Sequence, residues 1–420
     1  MAAQGPPKVG PIQATKCGER GGVGPLEDYR NPARQHLAFF HASTCQGARW
    51  RTCSLTLTPA VPAELSEGGS GSVFEVDFSP DGTLMAAAIP SGGTAPVVIR
   101  ATTDWSVLQT LTPDLRMGSP YAVRFHPAGT QLAVAGSATD GVHPCLFIYS
   151  VGDWSLLYSM DGEDLFINGL SYNHDGSLLA TAGLDTAVSI YNPNDGSLVQ
   201  RLTHHTGSVG ETAFNQDGTL LATAGRSDGK VLVYDTADWT SPLRTLDYGS
   251  YGVMTVKFSP DGTLLAAGDA YTSKVVVWKV EDWTVFLESQ PESSGRVWDV
   301  DFSPDGQWLA SASGSHNAHL WSMGDGSLAG PFDFGADLYD VTFSPNSDLL
   351  LLGSQSGITH ISEVLACTTT TTSTFTATTS TFTATTSSLT ATTLTLTTIQ
   401  LPAASPATVP AQRFGWRLLE

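Results

Sequence analysis

The sequence predicts an all-β fold, a seven-bladed β-propeller of four-stranded antiparallel blades, on three observations. A phrase close to Phe-Ser-Pro-Asp-Gly recurs seven times in 420 residues, with its aromatic residue at Phe78, Phe125, Tyr172, Phe214, Phe258, Phe302 and Phe343. The intervals are 47, 47, 42, 44, 44 and 41 residues, a near-constant period that marks stacked supersecondary units. Between the copies run short β-branched and aromatic segments joined by Gly, Asp and Pro turns, without a long helix-period stretch. A four-stranded sheet repeated in this way buries both faces only by packing on its neighbours, and a ring is the arrangement that achieves it.

The fifth unit shows the grammar of each blade. Val253-Met-Thr-Val-Lys-Phe258 alternates and leads into the turn Ser259-Pro-Asp-Gly262. Leu264-Leu-Ala-Ala-Gly268 follows, then Val275-Val-Val-Trp278 after a polar gap, and a turn at Asp282-Trp283 opens a fourth run. Ten Asp-Gly and four Asp-Trp dipeptides supply such turns, so 14 of the 40 acidic residues are punctuation between strands. The last copy has second and third strands, at 349–353 and 358–361, but no recognisable fourth. Residues 50–57, ahead of the first copy, resemble the other fourth strands. The N-terminal strand is therefore expected to complete the last blade and remove the exposed sheet edges.

Three regions follow. Residues 1–49 are Gly/Pro-rich and are expected to be disordered, residues 50–365 form the propeller, and residues 366–420 are a Thr/Ser-rich low-complexity tail expected to be disordered. Residues 368–398 hold 19 Thr in 31 positions, hydroxyls that sugar or phosphate would modify in the alternative reading. The net charge of −20 argues against a broad surface for nucleic acid or anionic lipid, and no stretch approaches the length of a membrane span. Five scattered cysteines without a C-x-x-C give no disulfide scaffold or zinc module. Without an apolar leader near Met1, a cytoplasmic location is expected, with the nucleus as the alternative.

The pattern V-x-x-V-x-F-S-P-D-G-x-x-L-A-x-A-G, followed by V-x-V and Trp or Tyr, resembles the WD40-repeat family over roughly residues 50–362, in a degenerate form akin to WD/YVTN-type propellers. The aromatic–Asp ending of the third strand survives at Tyr234-Asp235, while other blades read Trp278-Lys279, Trp321-Ser322 or Tyr191-Asn192. The family's Gly-His element is nearest at His205-Thr-Gly-Ser-Val209. The resemblance implies a structural brace of His205, Thr223, Asp228 and Tyr234, and partner contacts on the face made by the loops joining strands four to one and two to three.

Catalytic signatures are not found. Gly225-Arg-Ser-Asp-Gly229-Lys230 is one residue short of a phosphate loop and lies between strands, as does the loose dinucleotide pattern at 324–329. His205 with Asp228 suits the brace better than acid–base chemistry. His316 and His319 are spaced to face opposite sides of a strand, so they make no metal pair. There is no G-x-S-x-G nucleophile element, and Trp105, Trp154, Trp239 and Trp283 recur at one packing position. No catalytic residue, metal or cofactor is assigned.

The residue four before each repeat aromatic should stand at the mouth of the channel. These are Phe74, Tyr121, Asn168, Gly210, Met254, Trp298 and Tyr339; six before come Phe166, Arg296 and Asp337 among others. Aromatics and arginine on a rigid rim are the material of interface hot spots. The rim proposed to bind is therefore Phe74, Tyr121, Phe166, Asn168, Met254, Arg296, Trp298, Asp337 and Tyr339; the plainer reading is that these side chains plug the channel. Three before each aromatic, Glu75, Glu211, Asp299 and Asp340 suggest a partner of basic character. The expected function is a non-catalytic scaffold, a monomer or a subunit of a larger complex, binding a protein or peptide segment on its loop face. The rival is a propeller enzyme of the lactonase or quinoprotein-dehydrogenase kind, which would need a convergent His/Glu/Arg set or a metal cage at the mouth.

Overall fold

The computed structural model describes residues 56–66, 71–90, 96–112, 117–138, 145–161, 166–249, 252–289 and 295–365. The expectations for residues 1–49 and 366–420 lie outside these. Among the described residues there are 28 strands and no helix, and the strands form seven four-stranded sheets. Blades one to six occupy residues 75–111, 117–161, 167–202, 209–247, 253–288 and 297–333, each with its strands paired antiparallel in chain order from the channel outwards. The inner strands are short and bury nearly every side chain, as in Leu220–Gly225 and Leu264–Asp269.

The last blade joins the two ends of the ring. Its inner strands, Leu338–Phe343, Leu349–Ser354 and Ile358–Leu365, are completed by Thr56–Ser66 from the N-terminal side. The register pairs Thr56 with Leu365 and Leu57 with Val364, then shifts between Pro59 and Glu64 before Leu65 meets Thr359. The closing strand thus lies further along the chain than the 50–57 stretch singled out by its pattern, overlapping it only at Thr56 and Leu57; residues 50–55 are outside the described residues. Two prolines disguise it. An outer strand tolerates them because it needs hydrogen bonds on one side only.

The repeated phrase is a turn locked by its own side chains. In the first blade Ser79 Oγ donates to Asp81 Oδ1 at 2.6 Å, Thr83 N–H donates to the same oxygen at 3.0 Å, and Leu84 N–H donates to Ser79 Oγ at 2.9 Å. The Ser259/Asp261 and Ser303/Asp305 turns repeat this. Three of the four Asp-Trp turns between third and fourth strands put tryptophan in the left-handed region, with φ of 60° at Trp105, 58° at Trp154 and 62° at Trp283. That conformation is unfavourable for a bulky residue. The rings instead extend into the layers between blades, where Trp105 packs beside Val76, Phe78 and Leu351. Hydrophobic residues gather in seven clusters, each shared by two consecutive blades, so the core is a ring of seven layers around the channel.

Candidate functional site: the channel mouth

All seven positions obtained by counting back from the repeat aromatics line one cavity of about 340 Å³, together with Phe166, Gly169, Leu184, Arg226 and four carboxylates. Five rings run along one side in unbroken contact. Trp298 meets Tyr339 edge-on at 4.9 Å between centroids, and Tyr339 stacks on Phe74 at 4.6 Å. Phe74 meets Tyr121 edge-on at 5.0 Å, and Tyr121 tilts against Phe166 at 4.3 Å. Such geometries suit the opposed charges of ring face and ring edge. The arc therefore spans the sixth, seventh, first, second and third blades. Asn168, Gly210 and Met254 make the other side. A Cβ on Gly210 would lie 2.2 Å from the Met254 carbonyl oxygen, so the backbones of blades four and five leave no room there for a larger residue.

Arg296 and Asp337 flank the mouth in different ways. The Arg296 guanidinium lies 4.7 Å from the Trp298 ring centroid, a cation–π contact, while Asp337 pairs with His316 at 3.2 Å. His319, in contrast, is buried and stacks on Trp321 at 5.6 Å, so the two histidines are separated. Arg226 was missed by counting along the inner strands only. It follows Ala224-Gly225 at the end of a second strand, as Leu184 follows Ala182-Gly183, and both reach the cavity from the second loop of their blades. The repeated Thr-Ala-Gly ending was the signal that could have found them.

One residue below the aromatics, the carboxylates are already engaged. Glu75 Oε2 accepts from Val123 N–H at 3.0 Å, and its other oxygen takes Arg124. Glu211 takes Thr255 Oγ1 at 2.6 Å and Lys257 Nζ at 2.5 Å. Asp299 Oδ1 lies 2.9 Å from the same Thr255 hydroxyl, whose single proton it shares with Glu211, its Oδ2 accepts from Val341 N–H at 3.3 Å, and Asp340 Oδ2 accepts from Val76 N–H at 2.8 Å. Each carboxylate thus ties its blade to the next. Deeper still, Asp77 accepts from Phe125 N–H at 2.7 Å and Asp301 from Phe343 N–H at 2.9 Å. Burial pushes Glu75 up to about 8 against the pull of Arg124, pushes Asp301 up to about 7, and raises Asp299 and Asp340 as well. The expected basic partner rested on these acids being free. They are inter-blade clamps, and that basis is removed.

The proposed brace is only partly assembled. His205 Nδ1 lies 2.8 Å from Asp228 Oδ2 and its Nε2 lies 2.7 Å from Thr223 Oγ1. Asp228 also accepts from Thr206 N–H at 3.0 Å; against burial, which would raise it, the His205 bond and then the Thr206 N–H hold its carboxyl below the usual range. Burial holds the His205 imidazole below its ordinary value, favouring the neutral ring that donates from Nδ1 and accepts at Nε2. Tyr234 does not join: its hydroxyl stands 3.4 Å from His204 Nδ1. A tyrosine carries its polar atom at the tip of the ring, and here that tip meets His204. A Cβ on Gly225 would lie 1.8 Å from Asp228 Oδ1, so the glycine that resembled part of a phosphate loop is the space the brace occupies, in a hairpin between Leu220–Gly225 and Lys230–Asp235.

The family described as WD domain, G-beta repeat (WD40) matches four consecutive stretches, residues 154–192, 196–235, 240–279 and 285–322. Residues 154–322 thus carry four WD40 repeats. Each match begins at the outer strand of one blade and ends with the third strand of the next, the same offset that lets Thr56–Ser66 close the ring. No curated protein matches the chain. WD40 propellers are generally protein-interaction scaffolds and are typically non-enzymatic. Among the described residues, no group of three or more His, Cys, Asp or Glu is arranged to hold a metal ion, and no helix is long and apolar enough to cross a membrane.

Proposed function

We propose that this WD40 propeller is a non-catalytic interaction platform whose channel mouth receives a peptide or protein segment over the aromatic arc. The observation that carries the reading is the convergence of Trp298, Tyr339, Phe74, Tyr121 and Phe166 in one continuous wall of an open cavity. A channel plug needs bulk, whereas a row of rings beside an open space of about 340 Å³ also offers a bound side chain large, rigid contact area. The bound segment lies off-centre, above blades six, seven, one and two.

The test is comparative capture with the full chain and a Trp298→Ala/Tyr339→Ala double variant. Proteins retained by the first and lost by the second are then purified and their binding measured by calorimetry. The expected result is a purified partner whose affinity falls at least about tenfold on rim substitution, with the thermal midpoint of the chain preserved. If every captured protein binds both forms equally, the rim only fills the channel and the interaction surface is elsewhere.

A further inference from the structure

The mouth has a second chemical character opposite the rings. Arg226 lines the cavity and forms no ion pair among the described residues, in a chain with 40 acidic and 20 basic side chains. Arg296, on the neighbouring wall above Trp298, is near enough that, after burial itself, it depresses the Arg226 guanidinium below its ordinary value. Arg226 lines the cavity while Arg296 stands outside its lining, over the Trp298 ring at its edge; the two like charges repel, and the carboxylates of the lining are occupied by Arg124, Lys257, Thr255 and backbone N–H groups. Among the described residues, the buried polar atoms of the cavity that lack a partner, Asn168 Nδ2 and Trp298 Nε1, are also N–H donors. The groups left without a partner there are therefore donors and positive charge, while the four lining carboxylates are engaged.

We propose that the mouth recognises an acidic residue of the bound segment, its carboxylate or phosphate held between Arg226 and Arg296 while an adjacent apolar side chain lies on the aromatic arc. This rests on the mouth being the interaction surface. An anion there would relieve the repulsion between the arginines and receive bidentate hydrogen bonds, which guanidinium groups supply in a fixed fork. The rings alone would accept many apolar side chains, so the arginines supply the selectivity.

The probe is a set of immobilised short peptides, each with a fixed phenylalanine and one neighbouring position fixed as Glu, phosphoserine, Gln or Lys, the remaining positions being mixtures. The labelled full chain should bind the Glu or phosphoserine set at least about fivefold better than the Gln set, and the Lys set worst. The relative strength of Glu and phosphoserine identifies carboxylate or phosphate as the source. Arg226→Gln with Arg296→Gln should bring the acidic sets down to the Gln level at an unchanged thermal midpoint, and Arg226→Glu should shift preference towards the Lys set. Binding that depends on Tyr339 but favours Gln or Lys, or that ignores both arginine substitutions, overturns the acidic-residue inference and leaves the mouth as an interaction surface. Binding of no set, or binding unaffected by Tyr339→Ala, overturns the reading of the mouth itself.

Discussion

The aromatic rim and the carboxylate layer beneath it are one residue apart in sequence and opposite in role. Phe74 and Glu75 are neighbours, as are Trp298 and Asp299, and Tyr339 and Asp340. Alternation along a strand sends successive side chains to opposite faces, so the two layers diverge at once. The rings touch one another and the open cavity, whereas the acids reach across to the next blade and accept its backbone and side-chain donors. Substituting the lower layer should change how the ring holds together; substituting the upper should change what it binds.

The sharpest way to break this comparison is to remove a clamp. Glu75→Ala leaves Arg124 with Asp77 as its remaining ion-pair partner among the described residues, and frees the Val123 N–H, all in a buried setting. Removing Glu75 strands the buried Arg124 guanidinium and leaves the Val123 N–H without its acceptor, so a loss of about 3 kcal/mol or more in unfolding free energy is expected by denaturant titration. A variant as stable as the parent would show that the lower layer is not holding the blades.

On the rim, Trp298→Ala or Tyr339→Ala should weaken a purified partner by about 2 kcal/mol, read by calorimetry, with much less effect on unfolding. Each ring lies at the end or in the middle of the aromatic chain and neither donates to the inter-blade ladder of carboxylates. If these substitutions instead destabilise the chain as much as Glu75→Ala does, the rim and the clamps form one structural unit.

The two layers also differ in their response to pH. Glu75 and Asp301 have folded values raised to about 8 and about 7, above the 4.5 and 3.8 of free carboxyls, mainly by burial. A raised value means stability that is complete below the unfolded value and is lost as pH rises through the folded one. His205 has the opposite sign: its depressed value gives stability that is present above 6.5 and lost as pH falls. Scanning calorimetry from about pH 6.5 to 9 therefore isolates the carboxyls. The midpoint should fall by a few degrees across that window, and Glu75→Gln should flatten the slope. A midpoint that rises towards pH 9 would overturn the assignment.

The two layers were not equally legible in the sequence. The period of the Phe-Ser-Pro-Asp-Gly phrase and its self-contained turn chemistry gave the number of blades, because every bond from Ser79 and Asp81 within that turn is local. The phase of the rim residues was equally accessible, since strand alternation follows from position alone. The state of the carboxylates was hidden because their donors are remote: the N–H that holds Glu75 belongs to Val123, 48 residues away in the next blade. Arg226 was hidden because it approaches from a second-strand loop, and the closing strand because Pro59 and Pro62 broke the pattern that marks strands elsewhere. Tyr234 matched the brace by position, but its hydroxyl met His204.

The smallest effect tests the rim against itself. Met254 lines the same cavity and occupies the same repeat position as Trp298, but it stands on the wall without rings. A methionine offers flexible apolar contact and loses conformational freedom on binding, so it contributes less than a rigid aromatic of similar reach. Met254→Ala should cost a bound partner less than about 1 kcal/mol in calorimetry, clearly below the loss at Tyr339. Gly210 constrains the alternative of enlarging this wall, because its Cα position lies against the Met254 backbone, whose conformation the side-chain truncation leaves in place. A loss at Met254 equal to that at Tyr339 would move the bound segment to the centre of the channel. A loss confined to the aromatic side would fix its course along the arc from the sixth blade to the second.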